Sequence, residues 1–215
     1  MKITPTKTPF VVKKLFPDYV WEIPTNEKKL FLTFDDGPTS GVTDWVLGEL
    51  KRFNAKATFF CIGNNVRQHP QLFNQIVEEG HSIGNHTHNH IKGWKTKTDD
   101  YLKNVYEAET TINNQLDGTF KVNLFRPPYG QIKPNQGKRL IELGYKIVMW
   151  DVLSFDWDKT VSNQECFNNV ISKSKNGSVI VFHDSIKASN NMKFVLPKVL
   201  EFYTEKGFSF KSIQL

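Results

Sequence analysis

The chain is poor in cysteine, with Cys61 and Cys166 as the two cysteines among its 215 residues. Two cysteines are too few for the framework of a disulfide-rich secreted domain. Both have apolar neighbours, in TFFCI and QECFNNV. We therefore predict that both thiols are reduced and buried.

A long apolar run is also missing near the N-terminus. In MKITPTKTPFVVKKLFPDYVWEIP, the apolar triplet FVV is followed at once by two lysines. Such a segment is too short and too charged for a signal peptide or a membrane span. We therefore expect a cytoplasmic protein without a membrane span; a secreted or periplasmic location would fit if an export signal had been trimmed.

Clustered basic residues and nucleotide-binding glycines are absent as well. The chain has 28 basic and 22 acidic residues, which gives a net charge of +6, but its lysines are scattered. Scattered lysines argue against nucleic acid as a partner. No G-x-G-x-x-G or P-loop pattern follows the first predicted strand, which argues against a nucleotide site. No feature of the sequence predicts a protein partner.

The chain does contain a regular alternation of strand-like and helix-like segments. Its 39% of hydrophobic residues are enough for one large core. The β-rich runs are 30–34, 57–62, 81–85, 122–126, 146–152, 178–184 and 208–213. Helical spacing occurs in 42–53, 70–80, 99–116, 135–143, 162–174 and 191–205. This order predicts an α/β fold with about seven parallel strands, and the missing nucleotide motif favours a (β/α) barrel over an open sheet.

Polar side chains collect at the ends of these strands, where both α/β architectures place their sites. They are Asp35, Asp36, His86, His90, Arg126, Asp156 and His183. His86 and His90 are four residues apart, so a helical turn or a tight loop would direct both imidazoles to one ion. A carboxylate from another strand end would complete a ligand set that suits zinc or a similar divalent ion and leaves a position for water.

The adjacent aspartates need separate roles. Successive side chains of an extended segment point in opposite directions, so Asp35 and Asp36 are expected to flank an ion from a sharp turn. One would bind the ion, and the other would take a proton from water whose pKa the ion lowers to about 7. Spacing alone leaves open which aspartate has which role.

Five motifs in order resemble those of the NodB-like polysaccharide deacetylases, carbohydrate esterase family 4. They are TFDDGP, GNHTHNH, RPPYG, WDVLSFDW and VIVFHD, and the resemblance covers about residues 29–212. It implies a distorted (β/α) barrel and metal-dependent removal of acetyl groups from carbohydrates, most commonly from N-acetylglucosamine units of chitin-like or cell-wall glycans. We expect residues 29–215 to form the catalytic domain and residues 1–28 to form an extended lead-in packed on the barrel.

The resemblance also implies roles for the metal-binding half of the site. Asp36, His86 and His90 would bind one divalent ion, most simply Zn²⁺, with Co²⁺, Ni²⁺ or Mn²⁺ as the other candidates. Asp35 would be the general base. Arg126 would pair with this base and favour its ionised form.

The remaining roles concern the substrate. Tyr129 would offer its backbone N–H to the oxyanion and its ring to the sugar cleft. His183 would be the general acid that protonates the departing amine, and Asp156 would keep His183 protonated. Trp157 and Phe182 would enclose the acetyl group.

Several features leave alternatives open. Leu153 stands where many relatives carry an acidic residue, which weakens the assignment of a particular sugar. An O-acetyl carbohydrate esterase, a small amide or imide hydrolase, and a non-catalytic carbohydrate-binding protein are the alternative functions. Among the other histidines, we expect His88 to face away from the metal, and His69 and His81 to be structural or surface residues.

Overall fold

The computed structural model of the protein describes residues 5–116 and 122–215. The strands are β1 Lys29–Asp35, β2 Thr58–Cys61, β3 Ser82–Asn85, β4 Leu124–Phe125, β5 Lys146–Ile147, β6 Val152–Leu153, β7 Val179–His183 and β8 Ser209–Phe210. The α-helices are α1 Phe10–Leu15, α2 Thr43–Arg52, α3 Gly63–Gln68, α4 Pro70–Glu78, α5 Thr98–Asn113, α6 Pro134–Glu142, α7 Asn163–Ile171 and α8 Ser189–Glu205. Two short 3₁₀ turns cover Gly93–Lys95 and Pro128–Gly130.

The strands form one curled parallel sheet in the order β5-β4-β3-β2-β1-β7-β6. The short strand β8 lies outside this path and pairs in parallel with the start of β1. Helices connect the successive strands from β1 to β5 and from β6 to β8, and they return the chain to the same edge, as parallel pairing requires. The predicted (β/α) barrel with seven parallel strands is therefore confirmed.

The predicted strand 146–152 is the one that differs most from the structure. It splits into β5 and β6, which lie at opposite ends of the strand order. Between them, the chain pairs with the N-terminal segment: Val20 N–H donates to Ile147 O at 2.8 Å, and Met149 N–H donates to Val20 O at 2.7 Å. The apolar run fits a buried strand throughout, but its pairing partner changes midway, which sequence alone does not reveal.

The N-terminal segment contains the helix α1 in addition to its extended stretches. Pro17 follows this helix closely, and Phe16, directly before it, has an extended φ of −128°. A residue before proline is disfavoured in the helical region, which explains why the helix ends after six residues. The division of the chain into a lead-in and a catalytic domain at residue 28 stays a prediction.

Side chains alternate between the two faces of the central strands. Phe34 on β1 is the register partner of Phe182 on β7, and their rings lie 6.0 Å apart in the core under the outer helices. The next pair, Asp35 and His183, lines a cleft at the carboxyl ends of the strands. This alternation follows from the two-residue period of a strand and puts polar groups on the inner face.

Two further properties of the described residues bear on the expectations. The thiols of Cys61 and Cys166 are reduced and buried, as predicted. Within residues 5–116 and 122–215, no helix has the length and the apolar composition that crossing a bilayer requires.

Candidate active site

The expected site residues meet at the carboxyl end of the barrel, in a cleft of about 550 Å³. The cleft is lined by Asp35, Asp36, His86, His90, Pro127, Tyr129, Gly130, Gln131, Trp150, Leu153, Trp157, Val181, His183, Ser185 and Lys187. Arg126 and Asp156 lie buried behind it, at 0% and 1% exposure. A second cavity of about 700 Å³ lies between the N-terminal segment, Lys175 and Leu215, and contains none of the expected site residues.

Asp36, His86 and His90 form a group that fits a metal ion. Each offers one ligand atom, and these atoms all lie within 4.8 Å of one another. Asp36 Oδ1 is buried without a hydrogen-bond partner, and the Nε2 atoms of His90 and His86 lie 3.2 and 3.8 Å from it. A buried acceptor without a donor is costly, and a cation between the three atoms would remove that cost. One carboxylate and two imidazoles are a usual donor set for zinc.

The main chain around Asp36 holds this ligand in a sharp turn. Asp36 has a φ of 83°, in the left-handed region that is unfavourable for a residue with a side chain. Two hydrogen bonds stabilise the turn: Asn65 Nδ2 donates to Asp36 O at 2.7 Å, and Ile62 N–H donates to Gly37 O at 3.0 Å. The turn directs Asp36 away from the direction of β1 and explains how two adjacent aspartates reach one cleft.

Electrostatic effects favour the charge states that metal binding needs. Burial opposes ionisation of Asp36, but the imidazole of His90, whose Nε2 lies 3.2 Å from Asp36 Oδ1, and the nearby His183 and His86 hold the pKa of Asp36 well below its usual range. Burial lowers the pKa of His86 to about 4. Its Nδ1–H donates to Arg126 O at 2.7 Å, which leaves Nε2 as the free ligand atom.

His88 and His81 do not belong to the group formed by Asp36, His86 and His90. His88 is buried, and its Nε2 lies 3.4 Å from Glu107 of α5. His81 is also buried, and its Nδ1 accepts a hydrogen bond from Ala57 N–H at 3.1 Å. Burial lowers the pKa of His81 to about 4, so it is a neutral structural residue.

Arg126 is fully buried and donates hydrogen bonds in four directions. Its Nη1 donates to Asp35 Oδ1 and to Thr33 Oγ1, each at 2.7 Å, while Nε donates to Val148 O at 3.0 Å and Nη2 to Met149 O at 2.8 Å. A buried guanidinium needs such extensive pairing, because unpaired charge in the interior is costly. The arrangement fixes one carboxylate oxygen of Asp35 at the floor of the cleft.

His183 and Asp156 form a second pair, in which the Asp156 side chain is buried and the His183 side chain is 16% exposed. His183 Nδ1 lies 2.8 Å from Asp156 Oδ1, and His183 N–H donates to Asp156 Oδ2 at 2.7 Å. Burial acts to lower the pKa of His183, but the charge and hydrogen bond of Asp156, with Asp36 and Asp35 nearby, raise it to about 9. The imidazole is therefore protonated near neutral pH, with Nε2 as the atom free to face a substrate.

The three residues expected around the substrate lie in different places: Tyr129 at the rim of the cleft, Trp157 in its lining, and Phe182 in the core. Tyr129 is 55% exposed at the rim, and its ring lies 4.6 Å from that of His90. Trp157 lines the cleft, with its ring 4.7 Å from that of His183. Phe182 is fully buried and does not line the cleft, and this placement argues against its expected contact with the acetyl group. Strand alternation turns Phe182 to the outer core, and Val181 lines the cleft instead.

Sequence reasoning misses four residues that support the site: Thr33, Asn65, Trp150 and Asp184. Thr33 and Asp184 belong to the motifs TFDDGP and VIVFHD, so their position beside the functional residues is a signal that was available. Trp150 is the first residue of the motif WDVLSFDW and carries the same signal. Asn65 carries none, because a distant segment brings it to the site. Trp150 packs so closely that a Cβ at Gly130 would lie 2.4 Å from its ring.

Comparisons with known proteins agree with this geometry. The family model described as polysaccharide deacetylase matches residues 22–148. A peptidoglycan-N-acetylglucosamine deacetylase of Bacillus cereus is 41% identical over 167 residues, which are 78% of this chain and 60% of that protein. Another protein of that name from Bacillus cereus is 32% identical over 195 residues, which are 90% of each chain.

A solved structure shows the same likeness in three dimensions. The crystal structure of the Bc1960 peptidoglycan N-acetylglucosamine deacetylase is 35% identical, with a TM-score of 0.87, and the match covers 96% of this chain and 95% of that one. Because a family model matches more than half of the sequence and a solved relative shares nearly the whole fold, the chain belongs to the polysaccharide deacetylase family, carbohydrate esterase family 4.

Proposed function

We propose that the protein is a metal-dependent hydrolase that removes N-acetyl groups from saccharides containing N-acetylglucosamine and releases acetate. One observation carries the proposal: Asp35 and His183 are register partners at the mouth of the barrel, beside the group formed by Asp36, His86 and His90. A base, an acid and a metal site in one cleft are what amide hydrolysis requires. The names of the relatives support peptidoglycan-like or chitooligosaccharide substrates.

The metal site and the base would act on the attacking water. A divalent ion held by Asp36, His86 and His90 would supply a water of lowered pKa and polarise the acetyl carbonyl. Zn²⁺ suits this donor set best, with Co²⁺, Ni²⁺ and Mn²⁺ as alternatives. Asp35 would take the proton from the water, because it lines the cleft while Arg126 holds its other side in place.

The leaving group sets the role of His183. An amide nitrogen departs poorly as an anion, so it must gain a proton as the bond to carbon breaks. His183 would donate this proton from Nε2, since its Nδ1–H is held by Asp156. An ester needs such help less, because an alkoxide leaves more readily. The raised pKa of His183 therefore favours an N-acetyl over an O-acetyl substrate.

The rim of the cleft would bind the sugar. The backbone N–H of Tyr129 would donate to the developing oxyanion, and its exposed ring would contact a sugar face. Trp157 would enclose the acetyl group together with Val181 and Leu153, which also line the cleft. A cytoplasmic location stays a prediction.

Acetate release by the metal-loaded protein tests the proposal across chitooligosaccharides, peptidoglycan fragments, acetylxylan and simple imides. We expect acetate from the N-acetylated saccharides at rates above those with acetylxylan. Release from acetylxylan alone would favour an O-acetyl esterase, and activity on imides alone would favour an imide hydrolase. Saccharide binding without acetate would indicate a non-catalytic protein.

Variants separate the metal site from the base. Asp36→Ala, His86→Ala and His90→Ala should each abolish retention of the ion, measured as bound metal after gel filtration. Asp35→Asn should retain the ion and lower turnover by a factor of about 10²–10⁴. An Asp35→Asn protein with unchanged turnover would contradict the assignment of the base.

A further inference from the structure

Asp184 is a fully buried carboxylate that the proposed chemistry does not use. It directly follows His183 at the end of β7 and has 0% exposure. Its Oδ1 accepts a hydrogen bond from Gly37 N–H at 2.9 Å, and its Oδ2 accepts one from Thr43 Oγ1 at 2.6 Å. Both donors belong to the segment that follows the presumed metal ligand Asp36. A buried carboxylate is retained at such a place only with complete pairing, which these donors begin to provide.

The carboxylate lies directly against the backbone of the turn. A Cβ added at Gly37 would lie 1.9 Å from Asp184 Oδ2, so a side chain at this position would displace the carboxylate or the turn. The preceding residue, Asp36, has the unfavourable φ of 83°. A strained residue keeps its conformation only where its surroundings enforce it. Asp184 helps to hold this conformation through its hydrogen bond with Gly37 N–H. Asn65 and Ile62, which precede Asp184 by more than 100 residues, bind the carbonyl oxygens of the same turn.

Thr43 extends the connection to the first helix of the barrel. Its hydroxyl oxygen donates to Asp184 and also accepts a hydrogen bond from Thr39 N–H at 2.7 Å. On the other side, Asp184 N–H donates to Asp35 O at 3.1 Å. The end of β7, the turn after β1 and the start of α2 are thus joined through one side chain. Relative movement of Asp36 and His183 would break at least one of these bonds.

We propose that Asp184 is a positioning residue that holds the turn of Asp36 in the conformation that binds the metal. The proposal rests on the proposed function in taking Asp36 as a metal ligand. Asp184 does not line the cleft, and it would act through Gly37 and Thr43. Loss of its two acceptor oxygens would release the turn, and the ligand atom of Asp36 would leave its place between the two imidazoles.

Metal affinity of the substrate-free protein tests this role directly. We would titrate apo protein with Zn²⁺ against a chromophoric chelator and record the visible absorption spectrum of the Co²⁺ form. Asp184→Ala should weaken Zn²⁺ binding about 10- to 100-fold and alter the Co²⁺ spectrum. Asp184→Asn keeps an acceptor for Gly37 N–H and can donate to Thr43, so it should recover most of the affinity.

Asp151→Ala is the matched control. Asp151 is equally buried, but its carboxylate binds Lys7, Lys13 and Ser178 beneath the N-terminal segment. Its loss should lower the melting temperature and leave Zn²⁺ affinity unchanged. A folded Asp184→Ala protein with wild-type affinity and spectrum would overturn the proposal, as would an equal loss of affinity in Asp151→Ala.

A milder variant covers the case in which Asp184→Ala does not fold. Thr43→Val removes the hydroxyl that holds Oδ2 and keeps the shape of the side chain, so it should weaken Zn²⁺ binding by a smaller factor; unchanged affinity would overturn the proposal. Acetate release by the wild-type protein is a separate measurement. A wild type that binds Zn²⁺ but releases no acetate would refute the proposed function alone.

Discussion

Arg126 Nη1 lies 2.7 Å from Asp35 Oδ1, with the two side chains 0% and 6% exposed. The same guanidinium donates to the carbonyl oxygens of Val148 and Met149, in the segment that joins β5 to β6. The pair therefore connects the expected base to the segment that joins the two ends of the strand order. We therefore expect Arg126 to affect both the expected base and the stability of the fold.

Replacement of Arg126 by Met should reduce both the stability of the protein and its turnover. Asp35 would remain buried without its partner, and breaking a buried pair in this way costs about 3–5 kcal/mol. We expect a loss of this size in the free energy of unfolding, measured with urea, and a large fall in kcat. Arg139→Met is the matched control, because Arg139 pairs with Asp99 on the surface, where a pair contributes about 0–1 kcal/mol. Equal losses in the two variants would contradict the buried-pair argument.

The dependence of kcat/KM on pH should reflect the titration of His183. Because its pKa is raised to about 9, the protonated form is present at neutral pH and is lost as the pH rises through about 9. We expect kcat/KM to fall along that alkaline limb. Asp156→Asn removes the main group that raises the pKa, so the limb should move to lower pH by about one unit or more. A limb that stays in place in this variant would exclude His183 as the acid.

Substitution of Trp157 should lower kcat/KM, whereas substitution of Phe182 should leave KM unchanged. Trp157→Ala removes a wall of the cleft, and we expect kcat/KM to fall about tenfold, or 1.4 kcal/mol. Phe182→Leu changes the outer core, so it should cost about 1 kcal/mol of stability and leave KM unchanged. Steady-state kinetics and urea denaturation of both proteins test the assignment. A raised KM in Phe182→Leu at unchanged stability would place Phe182 in the cleft after all.

Stability in mild acid should depend on His81. Its pKa is about 4 in the folded protein, below the ordinary value of 6.5, so the unfolded chain binds the proton more readily. The contribution of His81 to the free energy of unfolding is fully present above pH 6.5 and is lost as the pH falls toward 4. At pH 5 the loss is about 2 kcal/mol. His81→Asn keeps an acceptor for Ala57 N–H without titrating.

Unfolding free energies of wild type and His81→Asn at pH 7 and pH 5, at one metal concentration, test this expectation. The wild type should lose more stability than the variant between these values. Parallel losses in the two proteins would show that other groups account for the acid sensitivity.

The positions of the strands along the chain could be predicted, because each strand contains a short apolar run. β1 and β7 are short apolar runs that end in charged residues, and they occur where the sequence predicts them. The run 146–152 carries the same local signal along its length, yet it supplies two strands at opposite ends of the sheet. The helix α3, only six residues long, is too short for a periodic pattern and was not expected.

The sequence by itself determined which chemical groups are present and at which strand ends they occur, because motif order and the apolar pattern are properties of neighbouring residues. Only the tertiary structure decided that Phe182 faces the core, that Arg126 joins the segment between β5 and β6 to Asp35, and that Asp184 lies against Gly37. Each of these depends on the pairing of segments far apart in the chain. Register and packing between such segments are set by the whole folded core, and no local pattern encodes them.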